Sequence, residues 1–208
     1  ESITIPSFMT TVPGGYLPLK EGFESGTFNR NLKLQGTGTA ASNWNININV
    51  GGFGQSNYCM QNDNFNFDAQ GAHDAIYTEK YDFTNAGGTQ LIFDVAYAPY
   101  GGIYSDTLEV LVSADCGTTF TSLYLRGGND LATAPAITTS AFIPGASEWR
   151  TDTIDVSAYA GNSEVLFAFV NIGHFGQVLY VDNINLYNVF ASINDVDNDF
   201  SFSVYPNP

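Results

Sequence analysis

Positive charge is scarce in this sequence: six Lys and Arg residues stand against 21 Asp and Glu residues, and the formal net charge is −15. A surface this negative repels phosphate groups, so the composition argues against nucleic acid as a partner and against an anionic membrane surface. Divalent cations are attracted to it instead. The sequence contains no run of about 18 apolar residues, which predicts that the chain does not insert into a membrane.

The residues on which most enzymes depend are also few. Only two histidines occur, His73 and His174, and there is no H-E-x-x-H or G-x-S-x-G motif. A glycosidase built on two carboxylates stays open, because spacing along the chain does not fix separation in space. We therefore predict that this chain alone is not an enzyme, although an upstream catalytic domain is compatible with it.

Cysteine is limited to Cys59 and Cys116. In an exported chain, two cysteines predict one disulfide, and closing so long a loop would stabilise the fold by about 4 kcal/mol. The alternative is a pair of buried free thiols.

Alternating apolar residues are abundant, whereas helical periodicity is nearly absent. Residues 91–97 place Leu91, Phe93, Val95 and Tyr97 on one face, and residues 165–170 are apolar on both faces, as in a central strand. The asparagine-rich run at 43–50 has one wholly polar face, which predicts an edge or surface strand. Many short strands with long loops predict an all-β fold, a two-sheet antiparallel jelly-roll sandwich.

Three segments follow from these patterns. We predict an entry segment at 1–16, the β-sandwich domain at 17–187, and an acidic linker with a following strand at 188–208. Asp195, Asp197 and Asp199 have the first spacing of an EF-hand loop but lack its later Gly and Glu, so this run is interpreted as a solvated linker.

Asp182 is the most informative carboxylate. It shares strand parity with Tyr180 and Ile184, so in a strand without a bulge it points toward the core. An unpaired buried carboxylate is costly, and a bound Ca²⁺ would compensate for it with several oxygen ligands. The alternative is that Asp182 accepts hydrogen bonds from backbone amides at a bulge.

A tyrosine-rich loop is the candidate binding surface. Tyr97, Tyr100 and Tyr104 lie in and around one loop, and we predict that Tyr124 and Arg126 contribute to the same rim. Aromatic rings of this kind stack on sugars or anchor a protein partner. The alternative is that the tyrosines only cover the edge of the sandwich.

Several stretches together carry a resemblance to a known family. They are Phe23-Glu24-Ser25-Gly26, "SNYCM" at 56–60, "GAHDAIYT" at 71–78, "YSDTLEVLVSADCGTTF" at 104–120 and "YVDNINLY" at 180–187. Their order and spacing resemble the MAM-like and cleaved-adhesin (choice-of-anchor J) jelly-roll modules of secreted Bacteroidetes proteins. The pair Cys59 and Cys116 also resembles cysteines of such modules.

The resemblance implies a structural calcium ion. In those jelly rolls a calcium commonly joins the glutamate of the first stretch to an aspartate of the last strand. In this sequence these residues are Glu24 and Asp182, and Asp74 and Asp106 are the candidates to complete the site.

Two further stretches resemble features of exported Bacteroidetes proteins. "FSVYPNP" at 202–208 resembles the start of the C-terminal sorting domain of the type IX secretion system; an incidental strand end is the alternative. "DTL" and "DTI" resemble that phylum's O-glycosylation pattern at Thr107 and Thr153, which are otherwise plain strand residues. The resemblance implies export to the outer face of a Gram-negative outer membrane or beyond.

Two functions fit these observations. The first is a non-catalytic, calcium-stabilised extracellular module that binds a glycan or a cell-surface protein. The second is the C-terminal accessory domain of a secreted hydrolase such as a metalloprotease.

Overall fold

A computed structural model of the chain describes residues 15–27, 32–36 and 43–189. Within these residues there are eleven strands: β1 (Leu19–Glu21), β2 (Leu32–Gly36), β3 (Asn45–Asn47), β4 (Cys59–Asp63), β5 (His73–Thr78), β6 (Gly88–Ala96), β7 (Thr107–Ser113), β8 (Thr121–Gly127), β9 (Arg150–Asp155), β10 (Leu166–Ile172) and β11 (Val178–Val189). The short helix α1 spans Gly128–Leu131, and 3₁₀ turns lie at Gly52–Gly54, Ala146–Glu148 and Ser157–Tyr159.

The strands form two antiparallel sheets, as predicted. One sheet has the order β3-β4-β11-β6-β9, with β1 also paired to β11, and the other has the order β2-β5-β10-β7-β8. The asparagine-rich strand β3 lies at the edge of its sheet, and the apolar strand β10 lies in the centre of the other. Both positions confirm the interpretation of their side-chain patterns.

The core lies between the inner faces of the two sheets. Leu91, Phe93 and Val95 of β6 are all fully buried there. The ring of Phe93 packs edge-on against Phe169 of the opposite sheet, with 5.2 Å between ring centroids. Burial of one such phenylalanine stabilises the folded state by roughly 1.5–3 kcal/mol. The apolar face predicted for β6 therefore packs the two sheets against each other.

The outer face of the six-stranded sheet is covered by the long connection at 132–149. Phe142 and Trp149 pack against Tyr180 of β11, with ring centroids 6.1 Å and 6.3 Å away. The side chain of Gln177 holds this connection, because its amide nitrogen donates to the carbonyl oxygens of Ile137 and Ser140. Trp149 itself is buried by these contacts, with 6% exposure.

Two different strands pair with successive parts of the same edge of β11. Residues 178–181 pair with β4, and residues 184–186 pair with β1. Between these two pairings the register with β6 shifts at Asp182 to Asn185, and Asn183 has a φ of 49°. A bulge therefore interrupts the strand where its two neighbours meet, which leaves a gap in the sheet that loops can enter.

The disulfide predicted between Cys59 and Cys116 is wrong: both cysteines are free in this structure. Cys59 lies buried on β4 of the six-stranded sheet, whereas Cys116 follows β7 of the other sheet. The Cys116 thiol instead donates to Glu164 at 2.5 Å and lies 3.8 Å from the Lys80 ammonium. Burial raises the pKa of both thiols.

The predicted segment boundaries stay predictions. The last strand runs to Val189, two residues beyond the predicted end of the domain. The acidic run and the "FSVYPNP" stretch lie outside the described residues, as does most of the entry segment. In the described part of the chain, no helix is long and apolar enough to cross a membrane.

Candidate functional site

Three connections meet at one end of the sandwich. They are the β4–β5 connection at 64–72, the β6–β7 connection at 97–106 and the β10–β11 connection at 173–177. Antiparallel pairing brings these ends together, because β10 pairs with both β5 and β7 and β11 pairs with both β4 and β6. We refer to this end as the loop end.

Four aromatic side chains from these connections form a continuous cluster, here called the aromatic tip: Phe65, Tyr100, Tyr104 and Phe175. The Tyr104 ring lies 5.5 Å from Tyr100 and 5.8 Å from Phe175, with interplanar angles of 87° and 81°. Phe65 lies 6.3 Å from Tyr100. Edge-to-face contacts hold each ring by its neighbour, so little side-chain freedom is left to lose when a ligand binds.

The aromatic tip is partly open to solvent. Tyr104 and Phe175 are each 40% exposed, and the adjacent Ile103 and Phe67 are 86% and 38% exposed. These four are half of the eight large hydrophobic side chains exposed in the described part of the chain. Exposed apolar side chains that gather in one place mark an interaction surface, whereas single ones do not.

The buried carboxylate of Asp106 holds the loop end together. It accepts hydrogen bonds from the backbone amides of His174 at 2.8 Å, Gly176 at 3.2 Å and Gln177 at 2.6 Å. It also accepts one from the Tyr97 hydroxyl at 3.1 Å. Desolvation raises the pKa of Asp106, and the three amide hydrogen bonds oppose that rise.

These hydrogen bonds fix the loop on both sides of Phe175. Phe175 has a φ of 56°, a conformation that bulky residues rarely adopt. Such strain persists only where the surroundings impose it, and it is concentrated at ligand-binding positions. Asp106 imposes it here by holding the amides before and after this residue.

The five predicted ligand-binding residues separate into two places. Tyr100 and Tyr104 lie in the aromatic tip. Tyr97 is fully buried, so its assignment as a ligand contact is corrected: its hydroxyl positions Asp106 instead. Tyr124 and Arg126 lie on edge strand β8, where Arg126 pairs with Leu108 of β7.

Tyr124 and Arg126 belong to an ion-pair cluster between the edge strands β8 and β9. The Tyr124 hydroxyl donates to Asp152 at 2.8 Å, and the Arg126 guanidinium lies 5.0 Å over the Tyr124 ring. Arg150 donates to Asp152 at 2.9 Å. Among the described residues no ring contact or hydrogen bond joins this cluster to the aromatic tip, and a rim shared with the tyrosine loop stays a prediction.

A second acidic site lies at the gap beside β11. Asp182 is fully buried and accepts from the Gly52 amide at 2.7 Å, the Ser56 hydroxyl at 2.8 Å and the Asn183 amide at 2.7 Å. Burial raises its pKa to about 6. The bulge and these donors match the alternative to calcium that the sequence left open for Asp182.

Glu24 and Asp94 accompany Asp182 at this gap. The charges of Glu24 and Asp182 both raise the pKa of Cys59, and the charge of Asp94 raises that of Asp182. Glu24 accepts from the amides of residues 57 and 58, at 3.2 Å each. The space that a side chain on Gly52 would fill lies within 3.3 Å of both the Asp182 and Asp94 carboxylates.

The four predicted calcium ligands do not come together. Asp74 lies on β5 of the five-stranded sheet, and Asp106 lies at the loop end, while Glu24 and Asp182 lie at the gap beside β11. Among the described residues, no group of three or more His, Cys, Asp and Glu side chains is arranged to hold a metal ion.

The two predicted O-glycosylation residues differ in accessibility. Thr153 is exposed on edge strand β9, whereas Thr107 is half-buried at the start of β7. Modification of either residue stays a prediction.

Sequence reasoning missed Phe65 and Phe175. The only signal at Phe175 is its position in a short turn between Gly173 and Gly176. Their contact with the tyrosine loop depends on strand order, which side-chain alternation does not reveal.

Comparison with known proteins identifies the fold. No family model and no curated protein matches this chain. The K1 cleaved adhesin domain of Lys-gingipain from Porphyromonas gingivalis W83 is similar, with a TM-score of 0.59 and 22% identity over 84% of this chain and 99% of that one. The chain therefore has the jelly-roll fold of a cleaved adhesin domain, as the sequence resemblance implies.

Two carbohydrate-binding modules share this architecture. Caldicellulosiruptor saccharolyticus CBM27-1, solved with mannohexaose, has a TM-score of 0.53 and 14% identity over 84% of this chain and 99% of that one. TmCBM61, solved with β-1,4-galactotriose, has a TM-score of 0.53 and 14% identity over 81% of this chain and 95% of that one. At these identities the likeness concerns the fold.

Replacing Asp106 tests its role in the loop end. Asp106→Ala leaves three buried or half-buried amides without their acceptor, so we expect the free energy of unfolding to fall by about 2–4 kcal/mol. Urea unfolding followed by tryptophan fluorescence measures it. Asp82→Asn is the matched control, because that carboxylate also accepts a backbone amide but is exposed. Equal stability of Asp106→Ala and the wild type would contradict this role.

Proposed function

We propose that this chain is a non-catalytic extracellular binding module whose aromatic tip contacts a glycan or a cell-surface protein. The observation that carries the proposal is the cluster of Phe65, Tyr100, Tyr104 and Phe175, which combines close ring packing, edge to face at Tyr104, with partial exposure. Similarity to an adhesin domain and to modules solved with oligosaccharides supports it.

The direction of the strands supports the same surface. β11 leaves the loop end at Val178 and ends at Val189, and a strand of these 12 residues spans about 36 Å when extended. Gly15 bridges to Tyr81 at that far end, where β5 has finished and β10 begins. The chain thus enters and leaves the described domain opposite the aromatic tip, and a domain tethered through either side presents the tip outward.

Removing the exposed rings tests this function. Tyr104→Ala and Phe175→Ala should each weaken binding to the cognate glycan or cell surface by at least about tenfold, because central aromatic residues dominate such contacts. Leu125→Ala is the control, since Leu125 is 62% exposed but lies on β8. Binding is measured by glycan array and cell-surface binding, with circular dichroism to verify the fold. Unchanged binding in both tip variants would locate the ligand elsewhere.

We further propose that calcium binds at the gap beside β11, with Glu24, Asp182 and Asp94 as neighbours and without Asp74 or Asp106. The physical reason is uncompensated charge. Asp182 and Asp94 are 0% and 7% exposed, and every described donor to them is neutral: Thr151 and Asn183 side chains for Asp94, and two amides and a serine hydroxyl for Asp182. Calcium also accepts carbonyl and amide oxygens, so the two carboxylates of Asp182 and Asp94 suffice together with such oxygens.

Metal removal tests the calcium proposal. With calcium at roughly 100-fold above its Kd, we expect a melting temperature about 5–10 °C higher than in chelator. Asp182→Asn should abolish this difference, whereas Asp106→Asn should keep it because that carboxylate lies at the loop end. Identical melting temperatures of the wild type in calcium and in chelator would remove calcium from the proposal.

Export by type IX secretion is also a proposal, and it depends on the resemblance of residues 202–208 to a sorting domain. The protein produced by its native cell should be found outside the cell or on its surface when the secretion system is intact. It should be retained in the periplasm of a strain that lacks the system. Immunodetection in cell fractions measures this, and export that is equal in both strains would contradict it.

A further inference from the structure

We propose that the ligand of the aromatic tip is an uncharged polysaccharide. This inference rests on the function proposed above and narrows it from a glycan or protein to one chemical class. Three features of the loop end support it: the absence of Lys and Arg from its three connecting loops, the small size of the exposed apolar surface, and the hydrogen-bonding groups around it.

Charge excludes acidic ligands from the tip. The three loops at 64–72, 97–106 and 173–177 contain no Lys or Arg. Their ionisable acids are Asp68, which is exposed, and Asp106, whose carboxylate already accepts four hydrogen bonds. A uronic acid or sulfate group would meet no Lys or Arg in these loops and would approach a chain of formal net charge −15.

Three cations of the described residues are paired with carboxylates outside the three tip loops. Lys80 contacts Glu164 at 2.9 Å, and Arg150 contacts Asp152 at 2.9 Å. Arg126 lies on β8 opposite Leu108, near the loop end, and its guanidinium is 3.8 Å from Asp152. Lys20 is exposed on β1 and stands over the Tyr187 ring, toward the opposite end of β11.

The size of the exposed surface favours a sugar chain over a folded protein. A stable protein interface takes about 20–30 residues on each side. The exposed apolar surface at the loop end consists of Phe67, Ile103, Tyr104 and Phe175. The rings of Tyr100, Tyr104 and Phe175 follow one another at 5.5–5.8 Å from centroid to centroid and are nearly perpendicular, so the cluster offers a short row of apolar ring edges and faces to the C–H groups of a sugar chain.

Uncharged polar groups surround the rings. The backbone between Tyr100 and Tyr104 is accessible, because no atom lies within 4 Å of a Cβ built on Gly101 or Gly102. Asn66 and His174 are exposed in the two neighbouring loops. Amide, imidazole and backbone groups of this kind bind sugar hydroxyls, and polar groups next to an aromatic surface provide orientation.

Affinity electrophoresis on matched polymers tests the inference. Uncharged polymers (galactan, mannan and hydroxyethylcellulose) are compared with acidic ones (polygalacturonate, alginate and carboxymethylcellulose) at pH 8, where imidazole is uncharged. The two cellulose derivatives share a backbone and differ in charge. Wild type, Tyr104→Ala, Phe175→Ala and the control Leu125→Ala are run in each gel.

We expect at least one uncharged polymer to retard the wild type and Leu125→Ala, with retardation reduced at least about tenfold in both tip variants. The inference would be overturned if acidic polymers retarded the wild type as much as uncharged ones or more, and if both tip variants lost this retardation. The proposed binding function would then remain intact. Tip-dependent binding to cell-surface protein after enzymatic removal of glycans would do the same. If no polymer and no cell surface binds through the tip, both proposals fail.

One variant with an added positive charge tests whether the lack of cations in the tip loops excludes acidic polymers. Ile103→Lys adds a cation at an exposed position of the tip. It should increase retardation by polygalacturonate and carboxymethylcellulose while leaving retardation by the uncharged polymer within about twofold. Acidic polymers that bind the wild type as strongly as Ile103→Lys would contradict the exclusion by charge.

Discussion

The carboxylate of Asp106 joins the two sheets at the loop end. It precedes β7 of the five-stranded sheet, yet its hydrogen bonds go to the amides that lead into β11 and to the hydroxyl of Tyr97 after β6, both in the other sheet. A buried carboxylate needs several donors to be tolerated, and the backbone amides of a tight turn supply them. The same requirement fixes the turn, and the turn presents Phe175 to the tyrosines.

The two buried acidic sites are satisfied in different ways, and this difference separates their roles. Around Asp106 the donors are backbone amides in a loop, so the carboxylate organises the surface without a need for a cation. Around Asp182 a bulge, Gly52 and Ser56 supply donors, but Asp94 and Glu24 add negative charge at the same gap. Charge accumulates there without a cationic side chain, which is why the calcium proposal is confined to this gap.

The aromatic tip also depends on distant packing. The side-chain amide of Gln177 holds the 132–149 connection over the outer face of the six-stranded sheet. Its backbone amide donates to the Asp106 carboxylate. The core contact of Phe93 with Phe169 sets the separation of the sheets from which the loops emerge. The binding surface is thus made of loops, but its geometry is imposed by buried groups.

Local alternation along the chain determined the class of the fold. Leu91, Phe93 and Val95 had to face one side of a strand, and the polar asparagines of β3 had to lie at an edge. The apolar run of β10 had to lie in a sheet covered on both sides. Each pattern buries its apolar side chains and exposes its polar ones in only one of the available positions. The tyrosine-rich loop was also visible as a candidate surface. Only the tertiary structure decided which residues meet. It buried Tyr97, placed Tyr124 and Arg126 beside Asp152 and kept Cys59 and Cys116 on different sheets. It also brought Phe65 and Phe175 to Tyr100 and Tyr104. Those contacts depend on strand order and on bulges, which arise from long-range pairing that side-chain alternation within one segment does not encode.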